Sequence, residues 1–505
     1  MTRVLSSSSA PPLRTAASPL RLWLGLFAGA LLLYGFTAAR TIQWQDSGLL
    51  VLRVLDGELV NPMGLALTHP LYYWLASAAV RLLPVEPAFA LPLASSLMGA
   101  VAVANVALCV WMLTRRRSAA IFSGLTLALA HTFWQLATLP ETYTLSAALL
   151  TAEIACLIAF FQGRGRRWAL VMWLFAGLGL ANHNLALLSL PVLAAVTGWA
   201  WRKRLLSGPQ IALALVLWLV GTLPYSAIVL EHAVQTGDLG GTVQSALFGD
   251  GYQQNVLNVQ SPIRPLVIGS LFVLMNFPNL ALPLAVWGIA RGRRVTRSRI
   301  IRAALAAELA IFFLFAIRYN VVDQHFFFLP AYCLLAIFAG LGWTLLLDRA
   351  DEKRWARAGL FAAALLLAVT PSLYAIAPRV AREANVLGSL ERDKPYRDDY
   401  RYLLLPWPAA EVSAHRMSEA ATDLAGPGGI IVARDGMGRF AIEYQLRRRG
   451  WENVELRSDL PAHLARDAAE QNRPVVLVPR SVSEPDLPDH VGPWLRQGEM
   501  YVLGR

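Results

Sequence analysis

Long apolar runs recur along the whole chain, and they limit its fold more than any other feature. The chain has 505 residues, of which 56% are hydrophobic and 15% are charged. A bilayer core of about 30 Å requires about 20 predominantly apolar residues in a helix. The sequence predicts eleven such spans, at 20–39, 91–114, 118–138, 145–162, 168–183, 185–201, 210–230, 265–290, 300–318, 326–347 and 358–377. The predicted fold class is therefore a multi-span α-helical membrane protein.

Basic residues are concentrated in every second loop. Arginines precede the first span, and the even-numbered spans are followed by basic clusters at 115–117, 164–167, 202–204, 291–299 and 349–357. Cytoplasmic loops of membrane proteins collect Lys and Arg. The alternation therefore predicts a cytoplasmic N-terminus and an extracytoplasmic C-terminal segment. Because arginine outnumbers lysine, we expect a bacterial inner-membrane protein whose C-terminal segment lies in the periplasm.

The net charge of +12 comes mostly from these short basic loops. Basic residues that are spread over short turns favour anionic lipid headgroups as their partner, rather than nucleic acid. The three cysteines fall within predicted spans, so no exported disulfide framework is expected; they are Cys109, Cys156 and Cys333. Residues 1–19, with a Ser run and a Pro pair, are predicted to be a disordered cytoplasmic segment.

Three segments on the side opposite the basic loops are long. Residues 41–90 contain apolar stretches at 48–55 and 71–83, which predict helices lying along the membrane surface. Residues 231–264 are polar and Gly-rich, which indicates a loop. Residues 381–505 alternate predicted strands and helices, which is typical of a small α/β domain; the strands are at 430–433, 453–456 and 475–478, and the helices at 439–449 and 461–471. The sequence thus predicts a membrane domain at 20–380 and a periplasmic α/β domain at 381–505.

Unusual acids and histidines lie at one end of the predicted spans, opposite the basic loops. They are Asp46, His69, Glu141, His183, Asp323 and His325. Taken singly, several have an ordinary explanation, since Asp and Ser cap helices and an acid stabilises a helix N-terminus. An ionisable group within a span costs about 3 kcal/mol on insertion scales, so such groups usually have a role. Their joint placement predicts that they meet at one membrane face, where a reaction takes place.

The same residues belong to short motifs that follow one another in a recognisable order. The motifs are Asp46-Ser47-Gly48; His69-Pro70 with Leu71-Tyr72; Phe133-Trp134 with Glu141-Thr142-Tyr143; Gly179 with His183 and Pro191; and Tyr319-Asn320-Val321 with Asp323 and Phe328-Leu329-Pro330. With these motifs, residues 20–345 resemble the protein O-mannosyltransferase-like (transmembrane protein 260-like) family of C-type membrane glycosyltransferases. The resemblance implies the GT-C fold of that class.

This resemblance also implies a chemistry. C-type glycosyltransferases take a sugar from a polyprenyl-phosphate-linked donor and transfer it to an acceptor on the exoplasmic side. The implied enzyme is an inverting glycosyltransferase, and its acceptor hydroxyl belongs to a protein, a glycan or a lipid. An acid in the first outer loop is essential in this class, and Asp46 has that position here as the catalytic acid/base.

The other site residues receive less specific roles. A leaving phosphate needs a cation, and the sequence offers Arg318 first and Arg40 second, although interfacial anchoring explains both residues as well. The remaining residues are predicted to bind sugar hydroxyls or the phosphate: His69, Glu141, His183, Asp323 and His325.

Two departures from the family pattern leave alternatives open. The family commonly has Asp-Ser-Gly-Glu, whereas this chain has Leu49 in the fourth position, and His69-Pro70 runs directly into Leu71. A hard divalent cation requires several oxygen ligands, so an obligatory metal is disfavoured and no other cofactor is expected. The alternative functions are a transporter or flippase for lipid-linked sugars and an inactive relative that acts as a scaffold. Polar residues at one face, rather than at mid-span, favour the enzyme.

Overall fold

Packed α-helices make up most of the molecule. The structure is a computed structural model that describes residues 19–251, 253–256, 263–319, 321, 323–388, 391–483, 485–488 and 491–504. The predicted disordered N-terminal segment lies, up to residue 18, outside the described residues. The first ten helices are α1 Pro19–Thr37, α2 Asp46–Asp56, α3 Pro70–Leu82, α4 Pro87–Thr114, α5 Arg117–Ala128, α6 His131–Leu136, α7 Tyr143–Phe161, α8 Arg167–Asn182, α9 Leu190–Arg202 and α10 Gly208–Thr236.

The rest of the chain continues the bundle and then forms a small sheet. The remaining helices of the membrane part are α11 Leu239–Phe248, α12 Gln253–Val256, α13 Ile263–Asn276, α14 Ala281–Arg291, α15 Arg299–Arg318, α16 Leu329–Ala350 and α17 Arg354–Glu383. The C-terminal segment has α18 Asp399–Leu404, α19 Ser413–Ala425, α20 Gly436–Arg449 and α21 Ala462–Glu470. Its strands are β1 Ile430–Ala433, β2 Glu455–Arg457, β3 Val475–Val478, β4 Trp494–Gln497 and β5 Met500–Leu503.

By length and composition alone, the described helices give fewer candidate spans than the eleven predicted. Each of the eleven predicted segments contains helix, but only eight helices of the described chain have the length and apolar composition to cross a membrane. The count becomes nine if α13 and α14, whose axes differ by 110°, are taken as one broken span. Helices α5 and α8 have only 12 and 16 residues. At about 1.5 Å per residue, they are shorter than a bilayer core of about 30 Å.

Two of the predicted spans, 118–138 and 265–290, are broken into two helices each, and the second break has a local cause. Proline disfavours helical backbone at the preceding residue and has no N–H of its own, and Pro278 lies just after the end of α13. At this break, the side chain of Asn276 forms hydrogen bonds with a residue at the other break, between α5 and α6. Its Oδ1 accepts a hydrogen bond from the Thr132 N–H at 2.8 Å, and its Nδ2 donates to Thr132 Oγ1 at 3.0 Å. The two breaks therefore satisfy each other's polar groups inside the bundle.

Helix α16 is the central helix of the bundle, because 89% of its most apolar window is buried within the protein. Glycines allow a close approach on one side of it. A Cβ atom at Gly288 of α14 would lie 2.1 Å from the Phe338 carbonyl oxygen, and one at Gly342 of α16 would lie 2.0 Å from the Leu284 carbonyl oxygen. Small residues at helix contacts are typical of membrane bundles, where packing replaces the hydrophobic effect.

The outer segments contain more structure than the sequence predicted. The two helices predicted between residues 41 and 90 are confirmed as α2 and α3. The segment at 231–264 was interpreted as a loop, and this was wrong for its helical parts: α10 extends to Thr236, and α11 and α12 follow. Asp238 starts α11, where its side chain accepts a hydrogen bond from the Gly241 N–H. This cap lets a Gly-containing sequence begin a helix.

The C-terminal segment forms a mixed five-stranded sheet in the order β2-β1-β3-β5-β4, which confirms the predicted small α/β unit. Strands β1, β2 and β3 are parallel, whereas β5 is antiparallel to β3 and β4. The unit shares its core with the first outer segment. One hydrophobic cluster joins Trp44 and Leu50 to Met417, Ile431 and Ala441. Helix α20 is therefore packed directly on α2, and α19 and the sheet belong to the same hydrophobic cluster.

Candidate functional site

A cavity of about 260 Å³ lies where the outer segments meet the bundle. Four of the predicted site residues line it, and they come from four separate parts of the chain: Asp46, His69, Glu141 and His183. Much of the remaining wall is apolar and is formed by Leu49, Leu50, Leu67, Leu185, Leu187, Leu188, Leu247, Phe248, Val256, Phe315 and Phe327. The structure thus places a compact group of ionisable side chains beside a long apolar surface.

Asp46 is the first residue of α2, and the backbone before it has an unusual conformation. Gln45 has φ 60° and ψ −139°, a region that residues other than Gly rarely adopt and that costs about 1–3 kcal/mol. The C-terminal segment holds it there, since the Gln45 N–H donates to the Met437 carbonyl at 3.1 Å. The Asp46 side chain is exposed to the cavity. The surrounding protein still removes enough water to raise the pKa of this carboxyl above its usual 3.8.

The next two residues of the Asp-Ser-Gly motif have separate structural roles. Ser47 is buried, and its hydroxyl donates to Glu141 Oε1 at 3.3 Å, so it links the two acids of the cavity. Gly48 lies where α20 crosses α2: a Cβ atom there would be 3.0 Å from Phe440 Cβ and 3.0 Å from the Gln43 carbonyl oxygen. Glycine at this position therefore permits the close contact between the two helices.

Glu141 is only 8% exposed and is anchored from its backbone. The Ser95 hydroxyl accepts from the Glu141 N–H at 3.2 Å, and it is also 2.8 Å from the Tyr72 hydroxyl. Burial raises the pKa of the Glu141 carboxyl well above its usual value, and the negative charges of Asp46 and Asp323 raise it further. Glu141 therefore holds its proton to a higher pH than a free glutamic acid does.

Asp323 does not line the cavity, but it lies close enough to interact electrostatically with the other two acids. Burial, and then the charge of Asp46, raise its pKa to about 6. The nearby Arg392, from the C-terminal segment, opposes this shift. The motif residue Asn320 lies outside the described residues.

His69 and His183 are stacked on each other in the cavity wall, with ring centroids 4.8 Å apart. His69 precedes α3 and has a left-handed backbone with φ 51°. Its Nδ1 is 2.7 Å from the Asn182 carbonyl oxygen. His183 Nδ1 accepts a hydrogen bond from the Leu185 N–H at 3.1 Å. Burial lowers the pKa of His69 to about 4 and lowers the pKa of His183 well below its usual value.

The other predicted site residues lie away from the cavity wall. Arg318 is exposed at the last turn of α15, between the wall residues Phe315 and Tyr319. Arg40 is exposed and lies over the Phe89 ring at 5.9 Å. His325 packs against Phe272 of α13, with ring centroids 5.5 Å apart. In the described part of the chain the wall contains no Lys or Arg.

The described residues also contain no group of three or more His, Cys, Asp or Glu side chains arranged to hold a metal ion. The assignment of Arg318, Arg40 and His325 to the substrate stays a prediction.

The sequence interpretation missed a buried arginine behind the cavity. Arg53 of α2 is 1% exposed, and its Nη2 donates to the carbonyls of Leu59 and Thr68. It therefore fixes the segment that carries His69. Its position in the middle of the apolar stretch 48–55 could have indicated from the sequence that Arg53 has a structural role.

A pair of buried acids at mid-span was missed as well. Glu153 of α7 is 3% exposed and Glu308 of α15 is 1% exposed. Of their four carboxyl oxygens, three have no hydrogen-bond partner within the described chain, namely Glu153 Oε1 and both oxygens of Glu308. Glu153 also lines a small cavity of about 20 Å³ beside Ser189. Each acid stands alone inside an apolar run, and this pattern marks an intramembrane ionisable group as a candidate for function.

The sequence and the structure were compared with known families, proteins and structures. Residues 64–206 match the family described as the protein O-mannosyl-transferase TMEM260 N-terminal domain. No curated protein sequence matches the chain. The structure is similar to that of ArnT from Cupriavidus metallidurans bound to undecaprenyl phosphate, with 16% identity, coverage of 95% of this chain and 97% of that chain, and a TM-score of 0.61. For ArnT in the apo state, the identity is 19%, the coverage is 91% and 93%, and the TM-score is 0.53.

These similarities confirm the predicted family resemblance and the predicted fold class. The matched family segment contains His69, Glu141 and His183, whereas Asp46 lies before it. The chain is a multi-span helical membrane protein with an ArnT-like GT-C fold and a small C-terminal mixed-sheet domain.

Proposed function

We propose that this chain is a membrane glycosyltransferase of the C type that transfers a sugar from a polyprenyl-phosphate-linked donor to an acceptor hydroxyl, with Asp46 as the catalytic acid/base. The main support for this proposal is the position of Asp46. Its carboxyl lies in a cavity wall together with Glu141, His69, His183 and an extended apolar surface.

The shape of the cavity supports an amphiphilic donor. A polyprenyl-phosphate-linked sugar has a polar head and a hydrocarbon tail, and the cavity has a polar side at Asp46 and an apolar side formed by Leu and Phe residues. Ligand sites of this kind are mostly apolar with a few convergent polar groups. The similar ArnT structure has undecaprenyl phosphate bound, which supports a lipid of the same class as the partner here.

The proposed reaction is a single displacement. The Asp46 carboxylate accepts the proton of the acceptor hydroxyl while the hydroxyl oxygen attacks the anomeric carbon. The bond from that carbon to the phosphate oxygen breaks, and polyprenyl phosphate leaves with the electron pair. One displacement inverts the anomeric configuration.

The two acids of the cavity take different parts in this scheme. Asp46 is proposed as the base, and Glu141, whose pKa is raised by burial, is proposed to donate a hydrogen bond to the substrate in its protonated form. A raised pKa makes Asp46 a stronger base than a free aspartate, although it must still be ionised at the working pH. Arg318, between the wall residues Phe315 and Tyr319 in the sequence, is proposed to stabilise the leaving phosphate.

We further propose that the cavity and the C-terminal domain at 381–505 face the periplasm and that residues 20–380 form the membrane domain. The basic loops at the opposite ends of the helices support this orientation. The C-terminal domain is packed on α2 beside Asp46. It is therefore in a position to contribute to the choice of acceptor.

The test uses the full-length protein in liposomes. The probe is polyprenyl-phosphate mannose that carries a label in its mannose. Transfer of the label to protein, glycan and lipid fractions is measured for the wild type and for Asp46→Asn. Asparagine keeps the size of the side chain and removes the base, so transfer should fall about 100-fold or more. In the wild type, the rate should also fall on acidification with a midpoint above 3.8, the usual value for Asp.

Asp238→Asn is the matched control. Asp238 also starts a helix, is exposed, and is not part of the cavity wall. Its substitution should leave transfer unchanged. A folded Asp46→Asn protein with near-normal transfer would remove Asp46 from the catalytic role.

A transporter of lipid-linked sugars is the second candidate, and one observation favours it. Glu153 and Glu308 place two acids near the middle of their helices, where transporters bind their coupling ions. Movement of the labelled donor across the liposome membrane without transfer, lost in Glu308→Gln, would identify this function instead.

A further inference from the structure

The hydrogen bonds of the stacked histidines fix which nitrogen of each ring carries a proton. His69 Nδ1 faces a carbonyl oxygen, that of Asn182, so this nitrogen must be the donor. His183 Nδ1 faces the Leu185 N–H, so this nitrogen must be the acceptor. In a neutral imidazole one nitrogen donates and the other accepts. His69 therefore has a bare Nε2, and His183 has a protonated Nε2.

Both rings are neutral in this environment. Burial is the main cause that lowers the pKa of each ring, and the positive charge of Arg53 adds to it at His69. Neither Nε2 atom makes a hydrogen bond to any residue that the structure describes. Since both side chains line the cavity, the pair offers a ligand one acceptor and one donor from stacked rings.

The acceptor His69 Nε2 and the donor His183 Nε2–H match the sugar hydroxyls of a lipid-linked sugar better than its phosphate. A phosphate group presents acceptor oxygens, which cannot satisfy the bare Nε2 of His69. A sugar hydroxyl can both donate and accept. Adjacent hydroxyls of a sugar ring therefore match the pair, whereas the phosphate does not.

We propose that the stacked His69–His183 pair binds two neighbouring hydroxyl groups of the transferred sugar, one donating to His69 Nε2 and the next accepting from His183 Nε2–H. The inference rests on the proposed function, and it assigns the histidines to the sugar rather than to the phosphate. The pair then selects sugars that have free hydroxyls at both positions.

The experiment compares equilibrium binding and turnover of polyprenyl-phosphate mannose with those of each of its mono-deoxy analogues, using the full-length protein in liposomes. One analogue lacks the hydroxyl that meets His69. Its binding and its kcat/KM should fall about 10- to 100-fold in the wild type, since a buried acceptor is left unsatisfied. His69→Asn should lower the binding and kcat/KM of polyprenyl-phosphate mannose itself by a similar factor. In this variant, the analogue that lacks the hydroxyl should bind and react no worse than the parent donor.

His69→Asn is suited to this test for two structural reasons. Its side-chain amide N–H lies near the position of Nδ1 and can keep the hydrogen bond to the Asn182 carbonyl, while the group at Nε2 is removed. Asparagine also tolerates the left-handed backbone that His69 adopts. His69→Gln places an amide oxygen near the Nε2 position and should restore part of the discrimination.

His232→Asn serves as the control, because its imidazole is bonded through Nδ1 to Thr242 Oγ1 and lies outside the cavity wall. This substitution should change neither the binding of polyprenyl-phosphate mannose nor the discrimination against its mono-deoxy analogues. Equal losses with every analogue in His69→Asn, or weaker binding of polyprenyl phosphate alone, would overturn the inference. Binding with the expected discrimination but without transfer would sustain the histidine assignment and reject the proposed reaction.

Discussion

Replacing Gly48 by alanine tests whether the contact between α2 and α20 positions Asp46. The added Cβ would lie 3.0 Å from Phe440 Cβ and 3.0 Å from the Gln43 carbonyl oxygen. Optimal carbon–carbon separation is about 3.5–4.0 Å, so the two helices must move apart by about 0.5–1 Å. Overpacking of this kind costs about 1–3 kcal/mol. Alanine recovers about 0.8–1 kcal/mol through its higher helix propensity, which leaves a net loss of about 0–2 kcal/mol.

The effect on turnover should be larger than the effect on stability. Asp46 is two residues from Gly48, and its neighbour Gln45 is bonded to Met437 of α20. A change in the spacing of these helices therefore moves the carboxylate, and a misplacement of about 1 Å can cost about 100-fold in rate. We expect Gly48→Ala to lower kcat about 10- to 100-fold, with a much smaller change in donor affinity.

The assay is sugar transfer by the full-length protein in liposomes, together with its thermal unfolding. Gly436→Ala, in the first position of α20, is the control, since a Cβ atom there meets nothing within 4 Å. This control should be as active as the wild type. A Gly48→Ala protein with normal kcat would refute the claim that the helix contact positions Asp46.

Three further predictions concern charge and topology. If an arginine stabilises the leaving phosphate, Arg318→Ala should lower turnover and a chelator should have no effect; activity abolished by chelation and restored by a divalent ion, with Arg318→Ala unaffected, would identify a metal instead. Glu308→Met should be neutral or stabilising by about 1–3 kcal/mol in thermal unfolding, because it removes a buried carboxyl that has no hydrogen-bond partner among the described residues; a clear loss of stability would show that the acid makes a favourable interaction. Reporter fusions after Arg117 and Arg382 should report inside and outside, respectively, and an inside signal at Arg382 would contradict the periplasmic location of the C-terminal domain.

Features that depend on nearby residues were predictable from the sequence. The apolar runs gave the helices of the bundle, and the Val475–Val478 strand was predicted with its observed bounds. Asp46, His69, Glu141 and His183 were expected to meet because they share one end of their helices, and all four line one cavity.

Features that depend on partners far along the chain were not predictable in this way. Asn276 and Thr132 are hydrogen-bonded across two breaks in the bundle; Pro278 marks the break beside Asn276 in the sequence, but no nearby residue indicates the pairing with Thr132. Strand β4 has a mostly exposed sequence and was missed, since only its pairing with β5 defines it. The burial of Glu153 and Glu308 likewise depends on how α7 and α15 pack within the bundle.

The contact between Gln45 and Met437 joins an early part of the chain to a late part. The two residues are 392 positions apart. At a synthesis rate of about 5–20 residues per second, Met437 is made ~20–80 s after Gln45. During this time the strained backbone before Asp46 lacks the group that holds it. A chain that stops before α20 would have every helix of its membrane part but would lack this support for Asp46. With Asp46 as the proposed base, we expect catalytic activity only after translation has passed residue 437.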